Sequence, residues 1–195
     1  VWTYIAKPYD SEYKSIRKTR EELWETREVE GAAEQFPEKY TYEKTLLYHL
    51  TKNPEDYKGA IKRLPEGLQT LFVHAYQAWI YNRTLSTLIE EDWYEDEYEI
   101  PLVGYKTDLK DNRPENLIEK YLEEEGVEQE DFRLQEFPEL RSEGTYRRAF
   151  ADFRNFEIIN LDSDELNMSK NKMNVKFDLP KGCYATVLLR EIMKN

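Results

Sequence analysis

One segment restricts the fold more than any other: residues 68–88 are expected to form a single helix with apolar side chains on almost every side. A helix that is apolar all round its axis is normally buried. The sequence therefore predicts a central helix that packs against a sheet or several other helices. Its polar members, His74, Gln77 and Asn82, are expected to be buried groups that hydrogen-bond to neighbouring backbone.

Three further helices are predicted ahead of this segment, over residues 11–30, 42–50 and 54–63. The first carries only a thin apolar stripe, centred on Ile16 and Leu23, and is expected to lie on the surface. The third is expected to be capped by Asn53, because an asparagine followed by a proline and two acids is a strong helix start.

The pattern changes after residue 92, and the acidic and aromatic run of residues 90–99 is the best candidate for a domain boundary. A short strand or an extended turn is predicted over residues 100–105, a helix over 116–125 that Gly126 ends, and strands within 147–159 and over 175–179. A turn at 180–182 then leads into a closing helix over 184–194. This order of helices and strands predicts an α+β fold.

The net charge of −12 argues against nucleic acid as a partner, because phosphate binding needs basic surface. The charge is uneven, however, since residues 141–154 and 169–195 are locally basic. A polyanion can therefore still be held on one face while the remainder repels it.

Several classes of protein are not supported by the composition. No window of about 18 apolar residues occurs, so no membrane span is predicted, and residues 1–10 lack the features of a secretory signal. The single Cys183 favours a reducing, cytoplasmic setting. Two histidines and one cysteine do not predict a zinc site, and the acidic run is expected to be a solvated face.

The chain opens on Val1 without an initiator methionine, and we expect a fragment of a longer protein.

Four segments, in a fixed order along the chain, resemble a known family. The two most specific are LFVHAYQAWIYNRTLS (residues 71–86) and KFDLPKGCYATVLLREIMK (residues 176–194), and PLVGY (101–105) and SEGTYRRAF (142–150) lie between them. On these segments the chain resembles the C-terminal portion of an archaeal-like TruD-type tRNA pseudouridine synthase.

The resemblance implies a fold and an activity. Residues 1–92 and 166–195 would form the helix-rich second half of the catalytic domain, and residues 93–165 an inserted α/β domain. The whole enzyme would be an RNA-modifying isomerase that converts a uridine of tRNA, at position 13, to pseudouridine without a cofactor or metal. Its aspartate would act as nucleophile or base.

The family's catalytic aspartate lies in a Gly-x-Lys-Asp segment that this chain does not contain. No catalytic residue is therefore expected here, and the missing N-terminal half of the same protein is an expected partner beside tRNA. Lys110 and Asp111 mimic the motif but lack the preceding glycine, so we interpret them as a decoy.

Candidate functional residues cluster toward the C-terminus. Arg190 is predicted to support the active site, with a plain surface arginine as the alternative. The other candidates are RNA contacts, with ordinary surface roles as the alternative for each. They are Lys176, Lys181 and Tyr184 around the Pro-Lys-Gly turn, where Gly182 allows close backbone approach, and Arg147 and Arg148, which would point to opposite faces of a strand.

A second hypothesis from a different class stays open. The chain would then be a non-catalytic RNA-binding or protein-interaction module. A Gly-x-Lys-Asp segment upstream of residue 1 would decide for the enzyme.

Overall fold

The computed structural model describes residues 1–93 and 98–193. Helices and short antiparallel strands make up these ranges, which confirms the predicted α+β class. The α-helices are α1 (Trp2–Ala6), α2 (Lys14–Thr26), α3 (Ala32–Gln35), α4 (Thr41–Lys52), α5 (Tyr57–Lys62), α6 (Glu66–Glu90), α7 (Arg113–Glu124) and α8 (Ala185–Met193). The strands are β1 (Glu99–Leu102), β2 (Thr145–Arg148), β3 (Arg154–Ser163) and β4 (Asn171–Asp178), and short 3-10 helices cover Gln129–Arg133 and Pro138–Leu140.

The chain divides into two compact units. Unit 1 comprises residues 1–79 and 130–142, and unit 2 comprises residues 80–129 and 143–195. The assignment of residues 93–165 to an inserted domain was made from the family resemblance, and it stays a prediction.

The core of unit 1 is built by the helices that precede α6. Leu46, Leu47 and Leu50 of α4 are buried, as their spacing predicts. On α2, Ile16 and Leu23 point into the same core while the opposite side of the helix is exposed. The prediction of a surface helix with a thin apolar stripe is therefore confirmed.

A buried arginine fastens these helices together. Arg20 of α2 is only 3% exposed. Its guanidinium donates hydrogen bonds to the backbone carbonyls of Tyr4 and Ile5 at 2.8 and 2.7 Å. The same group donates to the carboxylates of Glu12 and Glu43, each at 2.9 Å. Because Tyr4 and Ile5 belong to α1 and Glu43 to α4, one side chain joins three helices.

The predicted start of α5 at Asn53 is wrong. Asn53 ends α4, where its backbone N–H donates to the carbonyl of His49. The chain then turns, and Asp56 caps α5 instead, accepting from the Gly59 N–H at 2.9 Å and lying 2.8 Å from Nε2 of His49. The Gly59 N–H and the His49 ring together hold the pKa of the Asp56 carboxyl below its ordinary value.

Helix α6 is not buried on every side, so that prediction is wrong. Leu71 and Trp79 are 57% and 42% exposed. His74 and Asn82 are also exposed rather than buried. Gln77 alone of the three polar residues is buried, and its amide donates to the side-chain oxygen of Ser142 at 2.7 Å.

In unit 2, β1 and β2 pair antiparallel from Glu99 opposite Arg148 to Leu102 opposite Thr145. Helix α7 begins at Arg113, three residues before the predicted start, because Asn112 caps it by accepting from the Glu115 N–H. The predicted end is confirmed, since the chain leaves the helix through Gly126, whose φ of 64° suits a residue without a Cβ.

Replacing Arg20 is expected to destabilise the chain strongly. An Arg20→Leu variant leaves two buried or half-buried carboxylates and two backbone carbonyls without their donor, and the free energy of unfolding should fall by about 3–5 kcal/mol. Urea unfolding followed by circular dichroism measures this. Arg17→Leu is the matched control, because Arg17 also contacts two carboxylates but is exposed; its loss should have little effect. Equal shifts in the two variants would contradict the role of Arg20.

Candidate RNA interface

Three of the five predicted RNA contacts lie on two separate sheets of unit 2. Lys176 is on β4, which pairs only with β3, whereas Arg147 and Arg148 are on β2, which pairs only with β1, among the residues described. These three contacts therefore form two groups on sheets that do not pair with each other.

The β3–β4 hairpin has one charged face. Across the antiparallel ladder, Arg154 lies opposite Asp178, Glu157 opposite Lys176, and Asp162 opposite Lys172. Paired residues of antiparallel strands point to the same side of the sheet. Each cation of this face therefore has an acid as its direct neighbour.

Lys172 makes an ion pair in this region, whereas Lys176 has Glu157 only as its register neighbour. The Lys172 ammonium also lies 2.6 Å from the Glu165 carboxylate, and this contact holds the pKa of Glu165 below its ordinary value. The sequence did not reveal these pairs, because the ladder contains irregularities between Arg154 and Glu157 and between Ile158 and Asn160, and they change which residues face each other.

The opposite face of the hairpin is apolar and largely uncovered. Val175 lies opposite Ile158 and Met173 opposite Leu161. The predicted strand over residues 175–179 is confirmed, but its inward side is only partly buried. Helix α8, which follows, also has no buried residue among those described.

The turn that joins β4 to α8 presents two of the predicted contacts together. Lys181 is exposed and makes no ion pair with the described part of the chain. Gly182 follows with a φ of 91°, a conformation that favours glycine, although a Cβ there would meet no other atom. Tyr184 is 69% exposed at the start of α8.

Arg190 is exposed in the last turn of α8. It follows Tyr184 by six positions, which correspond to about 9 Å along a helix. No ion pair of Arg190 occurs within residues 1–93 and 98–193. Lys194, a further cation of the basic tail, lies outside the described residues.

On β2 both arginine side chains are exposed. The Tyr81 hydroxyl donates to the backbone carbonyl of Arg148 at 2.8 Å. Burial raises the pKa of Tyr81, and the Arg147 guanidinium opposes this rise. Arg147 therefore lies close to Tyr81 in the second half of α6, and the same tyrosine holds the Arg148 backbone.

The decoy Asp111 lies on the surface of unit 2. Asp111 is exposed next to α7 and accepts a hydrogen bond from Nδ2 of Asn116 at 3.0 Å. Across residues 1–93 and 98–193, no three His, Cys, Asp or Glu side chains converge as a metal site. Residues 94–97 of the acidic run lie outside the described residues. Within residues 1–93 and 98–193, no helix has the length and apolar character needed to cross a membrane.

This α+β chain, with its basic turn before a closing helix, matches proteins that modify tRNA. The sequence profile described as tRNA pseudouridine synthase D (TruD) matches residues 1–99 and 95–192. The chain belongs to the TruD family of tRNA pseudouridine synthases.

Individual relatives agree with the family match. The chain is 32% identical over 234 residues to the probable tRNA pseudouridine synthase D of Methanosarcina acetivorans, covering 98% of this chain and 52% of that protein. The corresponding protein of Methanopyrus kandleri is 33% identical over 205 residues, covering 99% and 50%. A crystal structure of the putative enzyme from Methanosarcina mazei superposes with a TM-score of 0.85 at 30% identity, over 100% of this chain and 54% of that one. The chain thus spans about half the length of the relatives it matches.

We expect the chain on its own to self-associate through the apolar face of the hairpin, because exposed apolar patches favour association. Sedimentation velocity should show an average mass that rises with concentration. Replacing Ile158 and Leu161 with threonine should reduce this rise, since threonine keeps the strand preference but adds a hydroxyl. Leu166→Thr, in the loop outside the ladder, is the control. A wild-type chain that stays monomeric at all concentrations would contradict this expectation.

Proposed function

We propose that this chain forms part of an enzyme that isomerises a uridine of tRNA, at position 13, to pseudouridine. The observation that carries the proposal is the family match, which extends over almost the whole chain. The reaction breaks the N1 glycosidic bond, turns the base and rejoins it through C5, and it needs no cofactor or metal. A cytoplasmic location suits this role, and the lone Cys183 is typical of a reducing compartment.

The reacting carboxylate of this enzyme would come from outside the chain. The Gly-x-Lys-Asp segment of the family has no counterpart among its residues, and the matched relatives are about twice as long. We assign the nucleophile or base to the portion of the family that this chain does not match, which makes that portion its partner. Residues 1–92 and 166–195 would complete the catalytic domain, with 93–165 inserted.

The target base must leave its stack to reach that carboxylate, which costs a few kcal/mol. Contacts to phosphates and stacking on aromatic rings offset this cost. Lys181 and Tyr184 suit these two tasks, because both are exposed around a turn that ends at a helix N-terminus. Lys176 is a weaker contact than its position suggests, since it lies opposite Glu157.

The remaining cations have different proposed roles. Arg147 and Arg148 are both exposed, and we assign a phosphate contact to one of them. Arg190 would support the catalytic carboxylate, because an aspartate needs a cation nearby to stay ionised in a closed pocket.

A protein-interaction module is the second candidate, and one observation favours it. Among the residues described, the apolar face of the β3–β4 hairpin is only partly buried and α8 has no buried residue. Disruption of the gene in its host distinguishes the enzyme from the protein-interaction module. Loss of pseudouridine at position 13 of tRNA is expected for the enzyme, and unchanged modification would exclude it.

The 195-residue chain alone is expected to form no pseudouridine when it is incubated with unmodified tRNA. The physical reason is that it provides no carboxylate in the family's catalytic motif. Chromatography of the digested tRNA measures the product. Turnover above a no-protein blank would contradict this and direct attention to Asp111, for which Asp111→Asn is the test.

The Lys181→Ala and Arg190→Ala variants should have different effects on the complete enzyme of which this chain is proposed to form part. Loss of Lys181 should weaken tRNA binding and lower the slope of log affinity against log salt by about one unit, because one counterion fewer is released. Lys172→Ala is the control, since Lys172 is already paired with Glu165.

Loss of Arg190 should instead lower the single-turnover rate more than the affinity, because its partner is the reacting carboxylate. Arg190→Lys keeps the charge and should recover part of the rate. A change in binding alone, with the single-turnover rate intact, would reduce Arg190 to another phosphate contact.

A further inference from the structure

The start of helix α2 is unusually basic for this chain. Residues 13–20, YKSIRKTR, contain four cations and no acid, whereas the whole chain has a net charge of −12. No acidic residue lies in the first turn of α2, and Tyr13 provides no side-chain cap. The positive end of the helix macrodipole therefore adds to the positive charge of the side chains.

Two of the four cations are already occupied. Arg20 is buried among its hydrogen-bond partners. Arg17 contacts the carboxylates of Asp10 and Glu21 at 2.8 and 2.9 Å. Lys14 and Lys18 remain exposed and have no ion pair with the described residues. They are one helical turn apart, about 6 Å along the axis, and share the solvent face of α2.

A third lysine joins this surface from the loop between α3 and α4. The Lys39 ammonium lies 5.0 Å from the centre of the Tyr13 ring and 5.5 Å from that of Tyr40. The neighbouring Glu38 does not neutralise it, because Glu38 contacts Lys44 at 2.5 Å. Lys39 is therefore a further exposed cation without an ion pair among the residues described.

The surface also carries an aromatic ring that is open to solvent. Tyr13 is 71% exposed, although an aromatic side chain gains free energy when it is covered. Lysines that contact phosphates beside a ring that stacks on a base are the usual components of single-stranded nucleic-acid binding. An acidic peptide would pair its carboxylates with the lysines, but it would offer no planar base to stack on the Tyr13 ring.

We infer that Tyr13, Lys14, Lys18 and Lys39 form a binding surface for a single-stranded segment of RNA. The lysines contact the phosphates, and Tyr13 stacks on a base. The choice of tRNA as the source of that segment rests on the proposed function. This surface belongs to unit 1 and adds a contact to those proposed around Lys181 in unit 2.

The test uses the 195-residue chain, unmodified tRNA and an oligouridine, with affinity measured by fluorescence anisotropy at several salt concentrations. The triple variant K14A/K18A/K39A should lower the salt slope by about two to three units and the low-salt affinity by about tenfold or more. The control K58A/K106A/K172A removes the same charge, but each of its lysines already has an acidic partner. Its salt slope should change by less than about one unit.

The aromatic role has its own pair of variants. Tyr13→Ala should weaken oligouridine binding by about tenfold, because one base loses its stacking partner. Tyr13→Phe keeps the ring and should bind like the wild type. Equal affinities for the alanine and phenylalanine variants would remove Tyr13 from the surface.

Three results would overturn the inference: no measurable RNA binding, equal losses in the two triple variants, or displacement by polyglutamate as effective as by RNA at equal charge. The last would identify a surface for acidic proteins. Failure of the proposed function is distinguishable. If gene disruption leaves tRNA modification intact while K14A/K18A/K39A still loses RNA affinity, the surface stands and the enzyme assignment does not.

Discussion

Unit 1 depends on one buried charge. Removing a guanidinium from water costs several kcal/mol, and only complete hydrogen bonding can offset this. Arg20 achieves it with two backbone carbonyls and two carboxylates, and its guanidinium also lies over the ring of Phe36, 5.4 Å from the centre. A rotation or shift of α2 would break several of these contacts at once. The exposed face of α2, including Lys14 and Lys18, is therefore fixed by an interaction on the opposite side of the helix.

The C-terminal part of unit 2 is held by contacts within its own hairpin, not by a buried charge. The β3–β4 hairpin is held by its own ladder and cross-strand pairs, with Phe156 and Phe177 stacked at 6.3 Å between ring centres. Helix α8 adds no buried side chain. Local hydrogen bonding sets the shape of this region, and its apolar surface is left for other contacts.

Sequence patterns predicted those features that depend on residues close together in the chain. The inward leucines of α4, the end of α7 at Gly126 and the strand around Val175 all follow from local spacing. Features that depend on distant residues were missed. A helix that is apolar on every side does not indicate which of its sides stays exposed, so the exposed side of α6 was not predicted. The residue pattern at Asn53 is typical of a helix start, but Asn53 ends α4 instead.

The same limit applies to the candidate interface. The sequence indicated which segments are basic, but not which cations are already paired. The neighbours of Lys176 and Lys172 depend on the ladder register, which two irregularities in β3 alter. The role of Arg20 was equally hidden, because a short run of cations on a helix does not reveal which of them is buried.

The alternation of charge across the hairpin has a consequence for long-range forces. Three cations and three acids on one face sum to zero, so the face acts as a set of small dipoles. The field of such a set decays faster with distance than that of a single charge, and salt screens the remainder within about 10 Å. The six charges of this face therefore contribute little net attraction or repulsion to an approaching polyanion. The hairpin can lie next to RNA without slowing the encounter, which leaves the direction of approach to the isolated cations elsewhere on the chain.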